Sequence, residues 1–317
     1  MALVPSDSVA WVKSWWGWVV GGNVPRGAAV LIDRMTYHSH FAALAQTSVF
    51  AGFTIRVAPS LSDGTVELDA LHIDDDVTAL CVTMIGTHSG NVNPVADIGR
   101  AAAAAGVPMF VDACQALGHL TLDVSELSCH VLTSTGRKFL RGPRGSGMLW
   151  VSRDIVDRFD PPGIDATSTS WTSAAGVHID AGVRRFGEYE TSFASMVGLA
   201  AAARQARAIG VDAIEPRVVA LAERLRSSLA GVDGVQVRDT AARRCAIVTF
   251  TVEGVASGDV VAMAQRAGVI VNESSAAWAA LDMDAKHTPT VVRASPHYFN
   301  TDAELDRLVD VVAGLRR

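Results

Sequence analysis

The sequence predicts an α/β fold, with a mainly parallel sheet covered by helices on both faces and a small α+β domain after it. Two observations predict this fold. Short apolar runs alternate with helical patterns in the first part of the chain, and strands with helices between them return near its end. We place the large domain at residues 1–200 and the small domain at residues 201–317.

The first helix is predicted to begin at Ser6-Asp7-Ser8, because short polar side chains favour the N-cap of a helix. The tryptophans that follow, Trp11, Trp15 and Trp18, recur with helical spacing on one face. Such a stripe is typical of a protein core or of an interface between subunits.

Six apolar runs are predicted to form the large sheet, and each is short enough to be a buried strand. They are Ala28–Asp33, Phe53–Ala58, Ala79–Met84, Pro108–Asp112, Cys129–Ser134 and Gly147–Val151. Thr36–Phe50 and Pro94–Ala105 are predicted to be helices between them. Ligand groups gather at the carboxyl ends of parallel strands, and Asp33, Asp112 and the loop of Lys138 occupy such positions.

The second part of the chain begins with a predicted long loop, Asp160–Arg185, rich in small and polar residues. Loops of this length are typically functional or lie between subunits. The helices and strands predicted after it are Ser192–Ile209, Ala213–Ala230, Gly258–Ala267 and Ala303–Leu315 as helices, and Cys245–Val252, Val269–Asn272 and Thr290–Ala294 as strands.

The composition excludes several classes of protein. With 49% hydrophobic and 19% charged residues, the 317-residue chain is typical of a globular protein with a large core. A net charge of −6 without a basic stripe argues against nucleic-acid binding. No apolar run is long enough for a membrane span, and the N-terminus lacks the pattern of a signal peptide, so we expect a cytoplasmic protein.

One lysine, Lys138, lies within a segment of hydroxyl residues, glycines and arginines, residues 133–147. Hydroxyls, glycine amides and arginines are suited to hold a phosphate. The nearby cations Arg137, Arg141 and Arg144 disfavour the ammonium form of Lys138, and a neutral lysine forms a Schiff base with a carbonyl carbon. This combination indicates pyridoxal phosphate, although a basic surface turn explains the segment alone equally well.

Other nucleotide motifs do not fit this segment. Lys138 lacks the glycine spacing of a P-loop, and the glycines that follow it precede an apolar run instead of following a strand. Asp112 ends an apolar strand, where its carboxylate could pair with a protonated pyridine nitrogen or cap a nearby helix. The H-x-H of His38 and His40 has no third ligand at metal spacing, so we expect no metal site.

Four motifs occur in an order that resembles one enzyme family. They are VDACQALGH at residues 111–119, STGRK at 134–138, GPRG at 142–145 and RASPHYFNT at 293–301. The chain resembles the class V aminotransferases from about Val4 to Arg317. These are fold-type I pyridoxal-phosphate enzymes, a group that includes cysteine desulfurases, kynureninase, isopenicillin N epimerase and the ergothioneine-pathway C–S lyase. The resemblance implies a seven-stranded sheet.

The resemblance also implies roles for individual residues. Lys138 would carry the cofactor as a Schiff base and, with Asp112, would be catalytic. Asp112 would pair with the pyridine nitrogen, and Gln115 would bond the phenolic oxygen of the ring. Asp7 and Ser8 fall in the turn that binds the phosphate at the start of a helix.

The remaining implied roles concern both ends of the cofactor and the substrate. Thr135 and Arg137 occupy phosphate-binding positions before the lysine, and Tyr37 falls where an aromatic ring stacks on the cofactor. Thr87 lies where many relatives have an asparagine near the cofactor. Thr191 would reach the phosphate of the partner subunit. Arg293 matches the arginine that binds the substrate carboxylate.

The implied activity is that of a pyridoxal-phosphate enzyme acting on an α-amino acid. Residues 272–278 contain no cysteine where desulfurases carry their nucleophile, so a persulfide-forming desulfurase is disfavoured. We favour a C–S lyase that works by β-elimination. An epimerase or racemase, an aminotransferase and a non-catalytic protein of this fold stay open. The family also implies a homodimer that shares its active sites, and an N-terminal segment that this sequence lacks.

Overall fold

The computed structural model describes residues 1–174 and 176–315. Its larger sheet has seven strands, as the resemblance implies. These are β1 (Ala2–Val4), β2 (Ala29–Ile32), β3 (Thr54–Val57), β4 (Val77–Thr83), β5 (Met109–Asp112), β6 (Val131–Thr135) and β7 (Gly147–Val151). Helices α1 (Asp7–Val20), α2 (His38–Ala51), α3 (Val95–Ala104) and α4 (Val124–Leu127) lie between them along the chain.

The strand order in this sheet is β1-β7-β6-β5-β4-β2-β3. Five neighbouring strands, β6, β5, β4, β2 and β3, run parallel to one another. Strand β7 is antiparallel to β6, and β1 is antiparallel to β7. The prediction of a mainly parallel sheet is therefore confirmed. Strand β1 was not predicted, since three residues ahead of a helix give little periodic signal.

Apolar side chains cover both faces of the sheet. On one face Trp11, Trp15 and Trp18 of α1 pack around Phe110 of β5, with ring centroids 5.4–6.4 Å apart. All three tryptophans are at most 1% exposed, so the stripe belongs to the core. The other face is covered by a second cluster that includes residues of α3. Large buried aromatic rings contribute strongly to core stability, so α1 is firmly fixed against the sheet.

A second, antiparallel sheet follows. Its strands are β10 (Val235–Val237), β11 (Val248–Val252), β12 (Asn272–Ser275) and β13 (Thr290–Ala294), in the order β10-β11-β13-β12. Helices α5 (Phe193–Ile209), α6 (Val211–Ala230), α7 (Ser257–Arg266), α8 (Ala280–Ala285) and α9 (Asp302–Gly314) accompany it. Helix α6 joins the two cores, because Ile214 and Val218 pack in the first and Leu221, Leu225 and Leu229 in the second. The domain boundary at residue 200 stays a prediction.

Some predicted elements differ from the structure. The predicted loop 160–185 contains a hairpin of β8 (Thr169–Ser173) and β9 (Gly176–Ile179), whose side chains are mostly exposed and therefore show no alternation of buried residues. The strand predicted at Val269–Asn272 overlaps β12 only at Asn272, where β12 begins. Strand β11 begins at Val248, three residues after the predicted start at Cys245. Cys245 instead bonds through its amide to the carbonyl of Gly90. Among the described residues, no helix has both the length and the apolar character needed to cross a membrane.

Candidate active site

Polar side chains at the carboxyl ends of the parallel strands meet at one edge of the larger sheet. Asp33 follows β2, Thr83 and Asp112 end β4 and β5, and Thr135 ends β6. Thr83 is in register with Asp112. This is the edge at which the sequence predicts that ligand groups gather.

The start of α1 reaches the same edge because Gly147 has no side chain. A Cβ on Gly147 would lie 2.7 Å from the carbonyl carbon of Ser6 and 2.9 Å from Ser134 O. Ser6 caps the helix, since its hydroxyl accepts a hydrogen bond from Val9 N at 3.2 Å. Asp7 and Ser8, the two residues after the cap, therefore lie at this edge of the sheet.

A cavity opens at this point. It is lined by Ser6, Asp7, Ser8, Tyr37, Thr83, Ile85, Thr87, Asp112, Cys114, Gln115, Thr135, Arg137 and Lys138. Nine residues that the sequence predicts at a cofactor site thus line one space, although they come from separate segments of the chain. Their individual roles stay predictions.

Lys138 lies in the turn after β6. The turn is closed by bonds from Arg141 N to Lys138 O at 2.8 Å and from Gly142 N to Gly136 O at 2.7 Å. Gly118 packs against it so closely that a Cβ there would lie 2.3 Å from Leu140 N. A side chain at residue 118 would therefore displace the turn.

The sequence contains three lysines, and the structure distinguishes them. Lys13 forms an ion pair with Glu188 at 3.0 Å, and Lys286 pairs with Asp282 at 2.6 Å. Lys138 lines the cavity together with Cys114 and has no such ion pair among the described residues. It is thus the lysine that is placed to react with a ligand.

A histidine that the sequence analysis did not assign to the cofactor site joins two of the predicted carboxylates. His40 of α2 has Nε2 3.0 Å from Asp7 Oδ2 and Nδ1 3.3 Å from Asp112 Oδ2. Its ring stacks on Trp11, with centroids 4.1 Å apart and planes 10° from parallel. We call Asp7, His40 and Asp112 the buried trio, since each is at most 5% exposed.

The charges of the buried trio depend on one another. Burial raises the pKa of Asp112 to about 6, and the Asp7 charge adds to this, whereas His40 and Lys138 oppose it. Burial also acts to raise the pKa of Asp7, but His40 outweighs it and lowers that pKa overall. Although burial disfavours the charged imidazole, the two carboxylates raise the pKa of His40.

The ligand atoms of the buried trio lie within 4.8 Å of one another, a spacing that a metal ion could also use. However, both ring nitrogens of His40 already face a carboxylate. The expectation of no metal site stays a prediction.

Arg293 of β13, in the second sheet, does not line the cavity, but it bonds to two residues that do. Its Nη1 donates to Thr87 O at 3.1 Å, and its Nη2 donates to Gln115 Oε1 at 3.3 Å. Gln115 Nε2 in turn donates to Thr87 Oγ1 at 3.2 Å. Arg293 Nε is buried and has no hydrogen-bond partner among the described residues. The two lining residues therefore fix the guanidinium beside the cavity.

One residue that lines the cavity, Tyr37, forms an aromatic pair with a residue outside the lining. Tyr37, at the start of α2, is parallel to Trp278 within 9°, with centroids 6.0 Å apart. Trp278 ends the segment 272–278, which contains no cysteine. The cysteine that lines the cavity with Lys138 is instead Cys114, whose pKa is raised well above its usual value by burial.

Thr191 is the predicted cofactor residue that does not line the cavity. It immediately precedes Ser192, the N-cap of α5. The first turn of α5 lies against the loop after Lys138, where Ser195 Oγ donates to Arg144 O at 3.2 Å. The role of Thr191 toward a partner subunit stays a prediction.

Comparison with known proteins identifies the family. The family model for class-V aminotransferases matches residues 18–308. The chain belongs to this family. A probable cysteine desulfurase of Xylella fastidiosa is 30% identical over 293 residues, which are 92% of this chain and 70% of that protein.

Solved structures share the fold. An apo cysteine desulfurase of Thermococcus onnurineus NA1 has a TM-score of 0.92 at 23% identity, over 99% of this chain and 78% of that one. The cystine C–S lyase C-DES, solved with its product cysteine persulfide, has a TM-score of 0.85 at 20% identity, over 98% and 81%. The predictions of family and fold, of an enzyme and of pyridoxal phosphate as its cofactor are confirmed.

Proposed function

We propose that this chain is a pyridoxal-phosphate C–S lyase that releases sulfur from a cysteine-derived amino acid by β-elimination. The observation that carries the proposal is that Lys138 and Asp112 line the same cavity. The cysteine of this cavity, Cys114, is buried, and burial raises the pKa of its thiol, which therefore stays protonated at neutral pH. The relatives named as cysteine desulfurases and C–S lyase favour sulfur chemistry over the epimerase and aminotransferase alternatives. A non-catalytic role is disfavoured because Lys138 and Asp112 line this cavity and Arg293 bonds to two other lining residues.

The residues that line the cavity fit the cofactor. Ser8, Thr135 and the guanidinium of Arg137 suit a phosphate, and Asp112 suits a protonated pyridine nitrogen. Lys138 supplies a primary amine, and Tyr37 supplies an aromatic face beside it. When bound, pyridoxal phosphate would withdraw electrons from the α-carbon of an amino acid.

The side chains of this chain then have distinct tasks. The α-proton of the substrate passes to Lys138 Nζ, while Arg293, which Thr87 and Gln115 hold beside the cavity, binds the carboxylate. The electrons of the Cα–H bond form the Cα–Cβ double bond, and the Cβ–S electrons leave on sulfur as a thiolate. The proton that Lys138 took up then passes to this thiolate and gives the free thiol. Hydrolysis of the remaining fragment gives pyruvate and ammonia.

No cysteine takes the sulfur in this scheme. All four cysteines are buried, and burial raises the pKa of each thiol, so none is an exposed thiolate nucleophile. The sulfur fragment therefore leaves as a free thiol rather than as a persulfide on the enzyme.

We also propose that the enzyme is a cytoplasmic homodimer. Large apolar side chains are exposed within the predicted loop and shortly after it, namely Trp171, Val177, Tyr189, Phe193 and Val197. Exposed apolar side chains in such number are suited to a protein interface, and Thr191 lies between Tyr189 and Phe193 in the sequence. A partner would thus meet the chain where the family resemblance implies a shared phosphate contact.

The test is chemical trapping followed by product analysis. Borohydride reduction of the cofactor-loaded chain should label Lys138 rather than Lys13 or Lys286, and peptide mass spectrometry locates the label. S-substituted cysteines should then give pyruvate without added oxo-acid. Lys138→Ala should abolish both results, and the control Lys286→Arg should retain both. A label elsewhere, or strict dependence on an oxo-acid, would overturn the proposal.

A further inference from the structure

The buried trio brings two carboxylates to one cavity. Asp7 and Asp112 both line the space, and each lies against a different ring nitrogen of His40. Two carboxylates that share a small buried space repel each other, so one of them tends to keep its proton. A cation between the two carboxylates offsets this repulsion, so both can be ionised.

We propose that His40 is a positioning residue, an imidazolium held between Asp7 and Asp112 that keeps Asp112 ionised and aimed at the pyridine nitrogen of the cofactor. The proposal rests on the proposed function, because it uses the assignment of Asp112 to that nitrogen. It adds a residue that the sequence analysis considered only as a metal ligand.

The surroundings of His40 support a fixed, charged ring. Trp11 stacks on one face at 4.1 Å, and Tyr37 meets the ring edge-on at 5.8 Å. Tryptophan faces attract cations, so this stacking favours the imidazolium. Since the ring is 1% exposed, water does not compete for Nε2, which bonds to Asp7, or for Nδ1, which lies 3.3 Å from Asp112 Oδ2 without a hydrogen bond.

The charged groups around His40 come from three elements. Asp7 of α1 and Asp112 of β5 favour the protonated ring, whereas Lys138, in the turn after β6, opposes it. The carboxylates prevail, and the pKa of His40 is raised. Asp33 lies close enough to feel the same group: burial raises the pKa of Asp33, and the Asp112 charge adds to this.

Two substitutions in the trio should act in opposite directions. In His40→Asn the carboxylates lose the cation between them, so Asp112 should keep its proton to higher pH. In Asp7→Asn the carboxylate that repels Asp112 is removed, so Asp112 should ionise at lower pH. A merely structural role for the trio would damage both variants in the same direction.

The experiment follows the visible absorption and circular dichroism of bound pyridoxal phosphate against pH, with cofactor affinity from equilibrium dialysis. We expect the acid limb of the spectral titration to move up by about one pH unit or more in His40→Asn and to move down in Asp7→Asn. His38→Asn, a change at the exposed histidine of the same helix, should titrate like the wild type. Ring-nitrogen NMR of the wild type without cofactor should show His40 doubly protonated at pH 7.

The outcomes separate the two proposals. A wild-type chain that binds no cofactor overturns the proposed function. A chain that binds cofactor, with His40→Asn titrating like the wild type or with both variants shifting the same way, overturns only the role of His40. If the variants do not fold, a neutral His40 ring at pH 7 in the NMR spectrum of the wild type overturns it as well.

Discussion

Arg293 Nη2 lies 3.3 Å from Gln115 Oε1, so a guanidinium on the second sheet is fixed by a side chain that follows β5 of the first sheet. The bond from Arg293 Nη1 to Thr87 O, at 3.1 Å, strengthens this link. The two sheets therefore meet at the cavity, and the group proposed to bind substrate is oriented before substrate arrives.

Arg293→Ala should raise KM and lower kcat/KM for every amino acid that the enzyme accepts. Loss of one partner of a charged, hydrogen-bonded pair costs about 2–5 kcal/mol, which corresponds to a loss of roughly 30- to 5,000-fold. The spectrum of the bound cofactor should change little. Arg293→Lys should recover only part of the loss, because lysine cannot form the forked contact. An unchanged KM would remove Arg293 from the site.

Asp112→Ala should leave the cofactor bound but nearly inert. The carboxylate that pairs with the pyridine nitrogen is lost, whereas the phosphate-side residues Ser8, Thr135 and Arg137 are kept. The measurement is exchange of the substrate α-proton in deuterated water, expressed per bound cofactor. Exchange at the wild-type rate would contradict the assignment.

Buried carboxyl groups at the sheet edge should make the cofactor-free chain less stable as the pH rises from 4 to 7.5. Burial raises the pKa of Asp33 from 3.8 to about 7 and that of Asp112 to about 6. A raised pKa in the folded state stabilises below the unfolded value, and this stabilisation is lost as pH passes the folded value. For Asp33 alone the loss is on the order of 4 kcal/mol.

Urea unfolding at a series of pH values checks this expectation. Asp33→Asn should flatten the curve between pH 4 and 7.5, because the amide cannot titrate, although it can still accept a bond from Thr83 N or Met35 N. Asp69→Asn, a change at an exposed acid, should leave the curve as in the wild type. A free energy of unfolding that rises between pH 4 and 7.5 would show that Asp33 ionises without destabilising the fold.

A buried carboxylate in α8 also joins the two parts of the molecule. Asp282 bonds Arg34 at 2.7 Å, His88 at 2.6 Å and Lys286 at 2.6 Å, and its carboxylate is fully buried. Burial acts to raise the pKa of Asp282, but His88 and Lys286 outweigh it and lower that pKa to about 2. His88 directly follows Thr87, so the pair also anchors the loop that holds Arg293.

Asp282→Ala should destabilise the fold by about 3–5 kcal/mol, because it leaves three basic side chains around an empty position. Urea unfolding at pH 7 measures the loss, and Asp284→Ala, a change at an exposed position of the same helix, is the matched control. Because the folded pKa is depressed, the contribution of Asp282 is present above pH 4 and is lost as the pH falls toward 2. Equal stability of the two variants would contradict the expected role of Asp282.

The sequence revealed the parts of the site that lie in contiguous motifs, and it missed those that depend on packing. Lys138, Asp112 and Gln115 belong to short motifs at strand ends, so their convergence followed from the parallel sheet. His40 could not be assigned, because Asp7 is 33 residues away and its approach depends on the packing of α1 against α2. Two signals were present: His40 lies one helical turn after Tyr37, and α2 starts at the same sheet edge as Asp33.

Cys114 tests whether sulfur leaves by elimination or is first taken up by the enzyme. It lines the cavity beside Lys138, and it would be the acceptor if any cysteine of this cavity formed a persulfide. Because burial holds the pKa of its thiol well above the usual value, it is a poor nucleophile at neutral pH. We therefore expect Cys114→Ala to form pyruvate from S-substituted cysteines with less than about a tenfold loss, or about 1.4 kcal/mol.

Mass spectrometry of the wild type during turnover should find no added sulfur on Cys114, and Cys81, Cys129 and Cys245 serve as internal controls. Cys114→Ser, which keeps a hydroxyl beside Lys138, should lose less activity than Cys114→Ala if the thiol only bonds to the lysine. An added sulfur atom on Cys114, together with an inactive Cys114→Ser, would instead identify an enzyme persulfide. The reaction would then be that of a desulfurase whose nucleophile follows β5, outside residues 272–278.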